Sequence, residues 1–481
     1  MSPRTMGTMT RRDILRYGAA AVGGLALVAC GQPSANSPTS TKGSKSPASP
    51  AVHPTIRLVG NFPGVAPGSA VAAALGRAFT RAYPRIEIEQ PTGGSPASNL
   101  LVTLIAAGKA PDFFVTTAPN MFGIYHQHGI LDLTPYFSTP QGKALMADIP
   151  AGVFAGMQIP GGAILGVAYK ADPMGVYYNA DMFKSKHAAP PAAGYTYDDF
   201  RSMCLQVADP ANHVWGTGGD MYRLSMELAP SWGTEWVPAN NPVVLNYNQQ
   251  IVAAETLPQQ MRYVDNTFMP GHLMNWDTSF PNGQMATIRQ NSYSLVPYAK
   301  AIGNSFSWNT APVPAGPART AAQVSINPWS IVSSTKNPDA CWDVIYWGHS
   351  EEFWNLVIPV SQDIPPQKSL ATLWRNIVGK QYRSLLGHLD LTVWTDPVVN
   401  DTGIVQSVFR YANYQAWSPW ADAVGYCLTG NPPNGDKDVA TSFQTASQQT
   451  AQIELAAQQI AEHLQASKTT PKTSAAAASD S

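Results

Sequence analysis

Residues 56–89 read IRLVGNFPGVAPGSAVAAALGRAFTRAYPRIEIE and decide the fold class. Ile56–Val59 is a short apolar run that predicts a strand, and Ile86–Glu89 alternates like a strand with one solvent-facing side. Between these runs, apolar residues recur at helical spacing until Pro84 ends the pattern: Val71, Leu75, Ala78, Phe79 and Ala82. The stretch therefore predicts a strand, a Gly/Pro-rich loop, a helix and a second strand.

The same alternation continues further along the chain. A helix is predicted through residues 100–105, a strand over 113–115 and another helix over 121–128. Strands that alternate with helices favour an α/β fold, in which a parallel sheet is covered by helices on both faces. Ligands of such sheets bind beyond the carboxyl ends of the strands, so the loops 60–68 and 116–120 are candidate binding loops.

Composition and motifs argue against several classes of function. The 481 residues carry 30 basic and 31 acidic side chains and no Lys/Arg-rich block, which argues against a nucleic-acid-binding surface. No apolar run reaches the roughly 18 residues that a membrane-spanning helix needs. The four cysteines lack CxxC spacing, and the sequence contains no HExxH, P-loop or GxSxG motif. We therefore expect a binding protein and not an enzyme, with no metal, no cofactor and no catalytic residues.

The N-terminal residues have the pattern of an export signal. Four arginines precede a short apolar run over residues 17–29, which is typical of a bacterial signal peptide. Residues 10–16, TRRDILR, resemble a twin-arginine signal, and the general secretory route remains an alternative. Residues 27–30, LVAC, resemble a lipobox, which implies removal of residues 1–29 and attachment of lipid (palmitate) to Cys30. The mature protein is then a lipoprotein on the extracytoplasmic face of the bacterial cell membrane.

Two segments outside the body of the chain are poor in apolar residues. Residues 30–54, rich in Pro, Ser and Thr, predict a disordered tether, and residues 467–481 predict a disordered tail. The remaining cysteines, Cys204, Cys341 and Cys427, are interpreted as mostly buried thiols with at most one disulfide.

Several motifs in the body resemble, in their order, those of one protein family. They are GKAPDFFV (108–115), GILDL (129–133), YYNADMF (177–183), FPNGQMAT (280–287), FSWN and APVPAGP (within 306–317) and SSTKNPDACW (333–342). Together they resemble the extracellular solute-binding protein family 1 of bacterial ABC importers, over about residues 55–465. The best-known branch of that family binds maltose and other sugars.

The resemblance implies a periplasmic-binding-protein-like fold of type II, with two α/β lobes that close over a ligand. Each lobe would be a parallel-rich sheet flanked by helices. Lobe one is expected over residues 55–171 plus 311–357, and lobe two over 173–309 plus 358–466. Hinge crossings are expected near 170–175, 305–311 and 357–364. A monomer of this kind delivers its solute to ABC permease and ATPase subunits in trans.

The resemblance also implies binding residues. Asp172 matches an acidic sugar ligand, whose carboxylate accepts charge-assisted hydrogen bonds from hydroxyl groups. Tyr293 matches an aromatic residue that stacks on the sugar ring. Further candidates are Asn291, Arg289, Trp329, Trp276, Trp232, Thr116 and Asn120. Thr116 and Asn120 depart from the maltose branch, which has an aromatic residue and an acid in that loop.

Three functions remain open from the sequence. The first is a sugar or oligosaccharide receptor of an ABC importer. The second is the same fold with another solute, such as a polyamine or a glycerol-phosphodiester; an anionic ligand needs a basic cleft, and only Arg289, Lys170 and Lys300 lie near the candidate segments. The third is a lipoprotein enzyme that acts on cell-wall glycan, since scattered acidic residues leave a catalytic carboxylate pair open.

Overall fold

The computed structural model describes most of the body of the chain: residues 55–92, 98–159, 162–238, 244–271, 273–400, 402–405, 417–425 and 438–469. The predicted signal peptide, the tether, Cys30 and Cys427 lie outside these residues. The last helix reaches Thr469, so residues 467–469, which the sequence assigned to a disordered tail, are helical.

The described strands alternate with helices along the chain. The strands are β1 (Ile56–Val59), β2 (Ile86–Glu89), β3 (Phe113–Val115), β4 (Val167–Ala168), β5 (Asp172–Asn179), β6 (Trp215–Gly219), β7 (Met285–Asn291), β8 (Trp308–Ala311), β9 (Ala322–Ser325), β10 (Pro328–Ile331) and β11 (Gly403–Val405). The helices are α1 (Ala70–Ala82), α2 (Ser98–Ala106), α3 (Ala118–His126), α4 (Thr134–Phe137), α5 (Pro140–Asp148), α6 (Ala151–Ala155), α7 (Ala180–Ser185), α8 (Tyr197–Val207), α9 (Met221–Ser231), α10 (Gln249–Tyr263), α11 (Leu295–Ile302), α12 (Pro338–Trp347), α13 (Glu351–Ser361), α14 (Ala371–Gln381), α15 (Arg383–Leu386), α16 (Thr392–Val399), α17 (Trp417–Val424) and α18 (Val439–Thr469).

The first strand–helix–strand unit forms as its periodicity predicts. β1 and β2 pair in parallel, with Ile56 opposite Ile86. The Ser69 side chain accepts a hydrogen bond from the Ala72 N–H and so caps the N-terminus of α1. α1 then buries Leu75 and Phe79 in the core.

Strand pairing elsewhere differs from the predicted parallel-rich sheets. β10 runs antiparallel to both β3 and β4, and β5 runs antiparallel to β7, β8 and β9. Besides β1–β2, the parallel pairs among the described strands are β9–β11 and β6–β7. The handedness and direction of a βαβ unit constrain only consecutive strands joined by a crossover helix. Strands that arrive from distant parts of the chain are free to run in the opposite direction.

The larger sheet has the strand order β11–β9–β5–β7–β6, and β8 also pairs with β5. β5 lies at its centre and is buried along its whole length. β7 pairs along one edge, while β9 and then β8 pair in succession along the other edge. Helices cover the sheet, and α16 packs on β5 so closely that a side chain at Gly175 would overlap Trp394. The two ends of β5 therefore occupy fixed positions, and the candidate site lies at its N-terminal end.

Candidate functional site

An ion-paired triad joins two chain segments at the start of β5. Lys170 Nζ lies 2.7 Å from Asp172 Oδ2 and 3.0 Å from Asp363 Oδ1. The Ala171 N–H donates to the Ile364 carbonyl oxygen at 2.9 Å, and the Ile364 N–H donates to Asp172 Oδ1 at 3.1 Å. We call Lys170, Asp172 and Asp363 the crossing triad, because it fastens residues 170–172 to residues 363–364.

The crossing triad carries two carboxylates and one ammonium group in a largely buried place. Burial lowers the pKa of Lys170, but the Asp172 and Asp363 carboxylates raise it more, so this pKa lies above its ordinary value. Burial and then the Asp172 carboxylate raise the pKa of Asp363 to about 6. The triad thus holds its lysine charged, and it has one negative charge in excess when both carboxylates are ionised.

Asp363→Asn should remove a pH dependence of stability. The pKa of Asp363 in the folded protein lies above its ordinary value of 3.8, so the folded state binds a proton more tightly than the unfolded chain. The free energy of unfolding therefore falls as pH rises from about 4 to about 6. Urea denaturation across this range should show a shallower decrease in the variant than in the wild type. The exposed Asp277→Asn serves as a control that keeps the decrease, and equal slopes in Asp363→Asn and wild type would contradict the assignment.

Tyr293 offers an exposed aromatic face beside the crossing triad. The residue is 37% exposed, and Lys170 Nζ lies 5.8 Å from its ring centroid. The Tyr293 hydroxyl donates to Gln290 Oε1 at 3.1 Å and accepts from Arg223 Nη1 at 3.3 Å. These bonds fix the edge of the ring and leave part of its surface open.

Arg223 is a polar group of this site that sequence reasoning missed. It lies in the first turn of α9, where its guanidinium also donates to Asn291 Oδ1 and pairs with Asp220 at 3.3 Å. The signal that leads to it is positional: α9 directly follows β6, and β6 pairs with β7, whose end carries Asn291. A side chain at the start of such a helix reaches the same edge of the sheet as Tyr293.

Trp276 is a second exposed aromatic residue near this edge. The residue is 37% exposed, and its carbonyl oxygen accepts a hydrogen bond from the Tyr298 hydroxyl at 2.6 Å. Tyr298 belongs to α11, which begins two residues after Tyr293. Helix α11 therefore directly follows the segment that carries Tyr293 and is hydrogen-bonded to the segment that carries Trp276.

The loop after β1 lies close to Asp363 of the crossing triad. Gly64 has a φ of 75°, and a Cβ built on it would lie 3.3 Å from Asp363 Oδ2. Asn61, in the same loop, is buried, and its Oδ1 has no hydrogen-bond partner among the described residues. Thr116 is also buried, at the end of β3, and Asn120 is partly exposed in the first turns of α3. The predicted binding loops thus contribute polar groups at the carboxyl ends of β1 and β3.

The other predicted residues lie below the surface of this site. Asp172 is fully buried, and its Oδ1 also accepts a hydrogen bond from Ser292 Oγ at 3.2 Å. Asn291 is fully buried, and its amide donates to the Asp172 carbonyl oxygen at 2.8 Å. Both residues therefore support the exposed groups from beneath, in the state that the structure describes.

Three predicted residues belong to the protein interior instead. Trp329 is fully buried, with its ring 5.8 Å from that of Phe113. Arg289 is buried in an ion pair with Glu227, and Trp232 is partly buried against the ring of Tyr197. The structure therefore brings Tyr293, Asn291 and Asp172 together and leaves Trp329, Arg289 and Trp232 outside the exposed surface.

Within the described residues, no group of His, Cys, Asp and Glu side chains is arranged to hold a metal ion. Cys204 and Cys341 are buried free thiols, so neither takes part in the disulfide that the sequence left open. Among the described helices, none combines the length and the apolar character needed to cross a membrane.

Solved structures of low sequence identity share this fold. The chain is similar to the sugar-binding protein MalE from Xanthomonas citri, with a TM-score of 0.69, 15% identity and coverage of 85% of this chain and 99% of that chain. It is also similar to UgpB from Mycobacterium tuberculosis in complex with glycerophosphocholine (TM-score 0.64, 14% identity, 84% and 99%). A third neighbour is the cyclic alpha-maltosyl-1,6-maltose binding protein from Arthrobacter globiformis (0.66, 14%, 84% and 99%). These likenesses confirm the predicted two-lobed, periplasmic-binding-protein-like α/β fold.

The sequence comparisons agree with the fold. No curated protein sequence shows a significant match to this chain. The family model for bacterial extracellular solute-binding proteins matches residues 63–352, which is more than half of the 481 residues. The chain therefore belongs to the bacterial extracellular solute-binding protein family, whose members serve ABC importers.

Proposed function

We propose that the protein binds a sugar or oligosaccharide in a cleft between its two lobes and delivers it to an ABC importer in trans. Lobe one would comprise residues 55–171 plus 311–357, and lobe two residues 173–309 plus 358–466. The crossing triad would lie where two of the connections between them meet. The monomer would close over its ligand, a motion for which periplasmic binding proteins are the standard example.

One observation carries the choice of a sugar: two half-exposed aromatic rings, Tyr293 and Trp276, lie among polar groups. Sugar rings expose C–H groups on one face and hydroxyl groups around the edge. An aromatic ring covers the C–H face, while amides, hydroxyls and charged groups take the hydroxyl hydrogen bonds. Arg223, Asn61 and Asn120 supply such groups.

The charges around the site favour a neutral ligand over a glycerol-phosphodiester. Three cations have a carboxylate partner: Lys170 has two, Arg223 has Asp220, and Arg289 has Glu227, while the exposed Lys300 lies over the ring of Tyr382. A phosphodiester anion needs a cation that is not already neutralised, and would have to break one of these pairs to obtain it. The carboxylates of the crossing triad are buried against Lys170, which also disfavours a polyamine and a catalytic carboxylate pair for glycan hydrolysis.

Tyr293→Ala should weaken binding of the sugar that a thermal-shift screen of a carbohydrate library identifies. A ligand at about 100 times its Kd stabilises the folded state by about 2.7 kcal/mol, which such a screen detects. Loss of the aromatic face should then raise the Kd by a factor of about 30, since burial of a large aromatic side chain contributes about 2 kcal/mol. Isothermal titration calorimetry measures the change.

Tyr222→Ala is the matched control, because Tyr222 has a similar exposure but packs on Trp420. The control should bind the sugar like the wild type. Wild-type affinity in Tyr293→Ala would move the site elsewhere, and a screen that stabilises the protein only with phosphodiesters or polyamines would reject the sugar.

We also propose that the protein is attached to the membrane through lipid on Cys30, after removal of residues 1–29. Support comes from the LVAC sequence at residues 27–30 and from the polar tether that follows it. Two acyl chains hold a protein stably at a bilayer, where one chain gives marginal binding. The twin-arginine pattern favours export in a folded state.

A further inference from the structure

A cavity lies beside the larger sheet, and the residues that line it include neither the crossing triad nor Tyr293. It has a volume of about 360 Å³, within the range of about 300–1,000 Å³ that small-molecule sites occupy. It sits where β8 ends and β9 begins, under α16, and Met174, Val313 and Ala322 form an apolar part of its wall. The space is therefore large enough for a small organic molecule with an apolar body.

Thr310 gives this cavity an unsatisfied polar group. The residue is 7% exposed and lines the cavity, and its Oγ1 has no hydrogen-bond partner among the described residues. Thr310 lies opposite Tyr177 across the β5–β8 pair, so both side chains point to the face that α16 covers. A buried hydroxyl without a partner destabilises the protein, and a ligand with a hydrogen-bonding group would recover that cost.

The mouth of the cavity is anionic. Asp390 and Asp396 line it, are exposed, and take part in no ion pair with a described residue. Asp390 Oδ1 accepts hydrogen bonds from the N–H and the hydroxyl of Thr392, which fixes that carboxylate at the start of α16. The lining residues include no Lys, Arg or His. A bound cation would therefore face two carboxylates without competition from a basic side chain of the lining.

We propose that this cavity is a second ligand site, which binds a small aliphatic amino alcohol. Its ammonium group would pair with Asp390 and Asp396, its chain would lie on the apolar wall, and its hydroxyl would bond Thr310 Oγ1. This proposal does not depend on the sugar proposal, because none of the groups that carry it takes part in the site around Tyr293.

Four probes of one length separate the contributions of charge and hydroxyl: 5-amino-1-pentanol, pentylamine, 1,5-pentanediol and 5-hydroxypentanoate. Calorimetric titration of the full chain should rank the amino alcohol first, with the diol at least tenfold weaker and the hydroxy acid without measurable binding. Asp390→Asn/Asp396→Asn should remove the advantage of the amino alcohol over the diol. Thr310→Val, which replaces the hydroxyl with a methyl group of similar size, should remove its advantage over pentylamine.

Two controls locate the binding. Asp198→Asn removes an exposed carboxylate elsewhere, and Tyr293→Ala alters the candidate sugar site; both should leave the affinity for the amino alcohol unchanged. Equal affinity for the amino alcohol and the diol, or loss of binding in Tyr293→Ala, would overturn the proposal. An absence of binding by all four probes would overturn it as well.

Discussion

Arg289→Met should lower the free energy of unfolding by about 3–5 kcal/mol, because it leaves a carboxylate buried without its cation. Glu227, the partner of Arg289, is 0% exposed, and its Oε1 accepts the Gln323 N–H at 2.9 Å. The methionine fills most of the space of the arginine chain but supplies no charge. Urea denaturation at neutral pH measures the change.

Two further variants separate the ion pair from the packing. Arg289→Met/Glu227→Gln removes both charges and keeps an oxygen for the Gln323 N–H, so it should be more stable than Arg289→Met alone. Arg319→Met breaks a pair with Glu235 in which the two side chains are 49% and 48% exposed, and it should cost less than about 1 kcal/mol. If Arg289→Met cost no more than Arg319→Met, the buried pair would not be a stabilising contact.

Cys30→Ala should move the protein completely from the membrane fraction to the soluble fraction. Lipid on this thiol is the proposed anchor, and each buried CH₂ group contributes about 0.8 kcal/mol to membrane binding. Loss of the acyl chains therefore removes the proposed anchor of the mature domain. Fractionation of cells together with metabolic labelling by a fatty acid measures both consequences.

Ser34→Ala, in the tether, is the control that keeps the LVAC sequence and should retain both the label and the membrane association. Membrane association of Cys30→Ala, combined with an unlabelled wild-type protein, would refute the lipid anchor.

Elements with strong local patterns were predictable from the sequence. β1, α1, β2 and β3 form where periodicity predicts them, and α8 begins with a capping box of Thr196 and Asp199, a pattern that is legible in the sequence. β6 and α9 gave no such pattern. β6 reads Trp-Gly-Thr-Gly-Gly, and its three glycines disfavour a strand, while α9 contains Pro230 in its last turn. Burial in the core, not local propensity, stabilises both.

A residue of the candidate site could be placed from the sequence only where the local pattern distinguishes exposed side chains from buried ones. Trp329 lies on β10 and Arg289 on β7, and every residue of both strands is buried. On such strands the alternation between faces does not distinguish a cleft from a core, so a single sequence cannot place these side chains. The partners that matter, Glu227 for Arg289 and Asp363 for Lys170, come from distant segments and follow only from the tertiary structure.

The central position of β5 also fixes the order in which the chain can fold. The Tyr177 hydroxyl bonds the carbonyl oxygen of Asn291, 114 residues later, and β8 and β9 follow after that. At a synthesis rate of about 5–20 residues per second, roughly 6–23 s pass between the synthesis of β5 and the synthesis of β7. During this interval β5, which is buried along its whole length in the folded protein, has no strand partner. Folding of the larger sheet is therefore a late event, and chaperones have several seconds in which to bind the nascent chain.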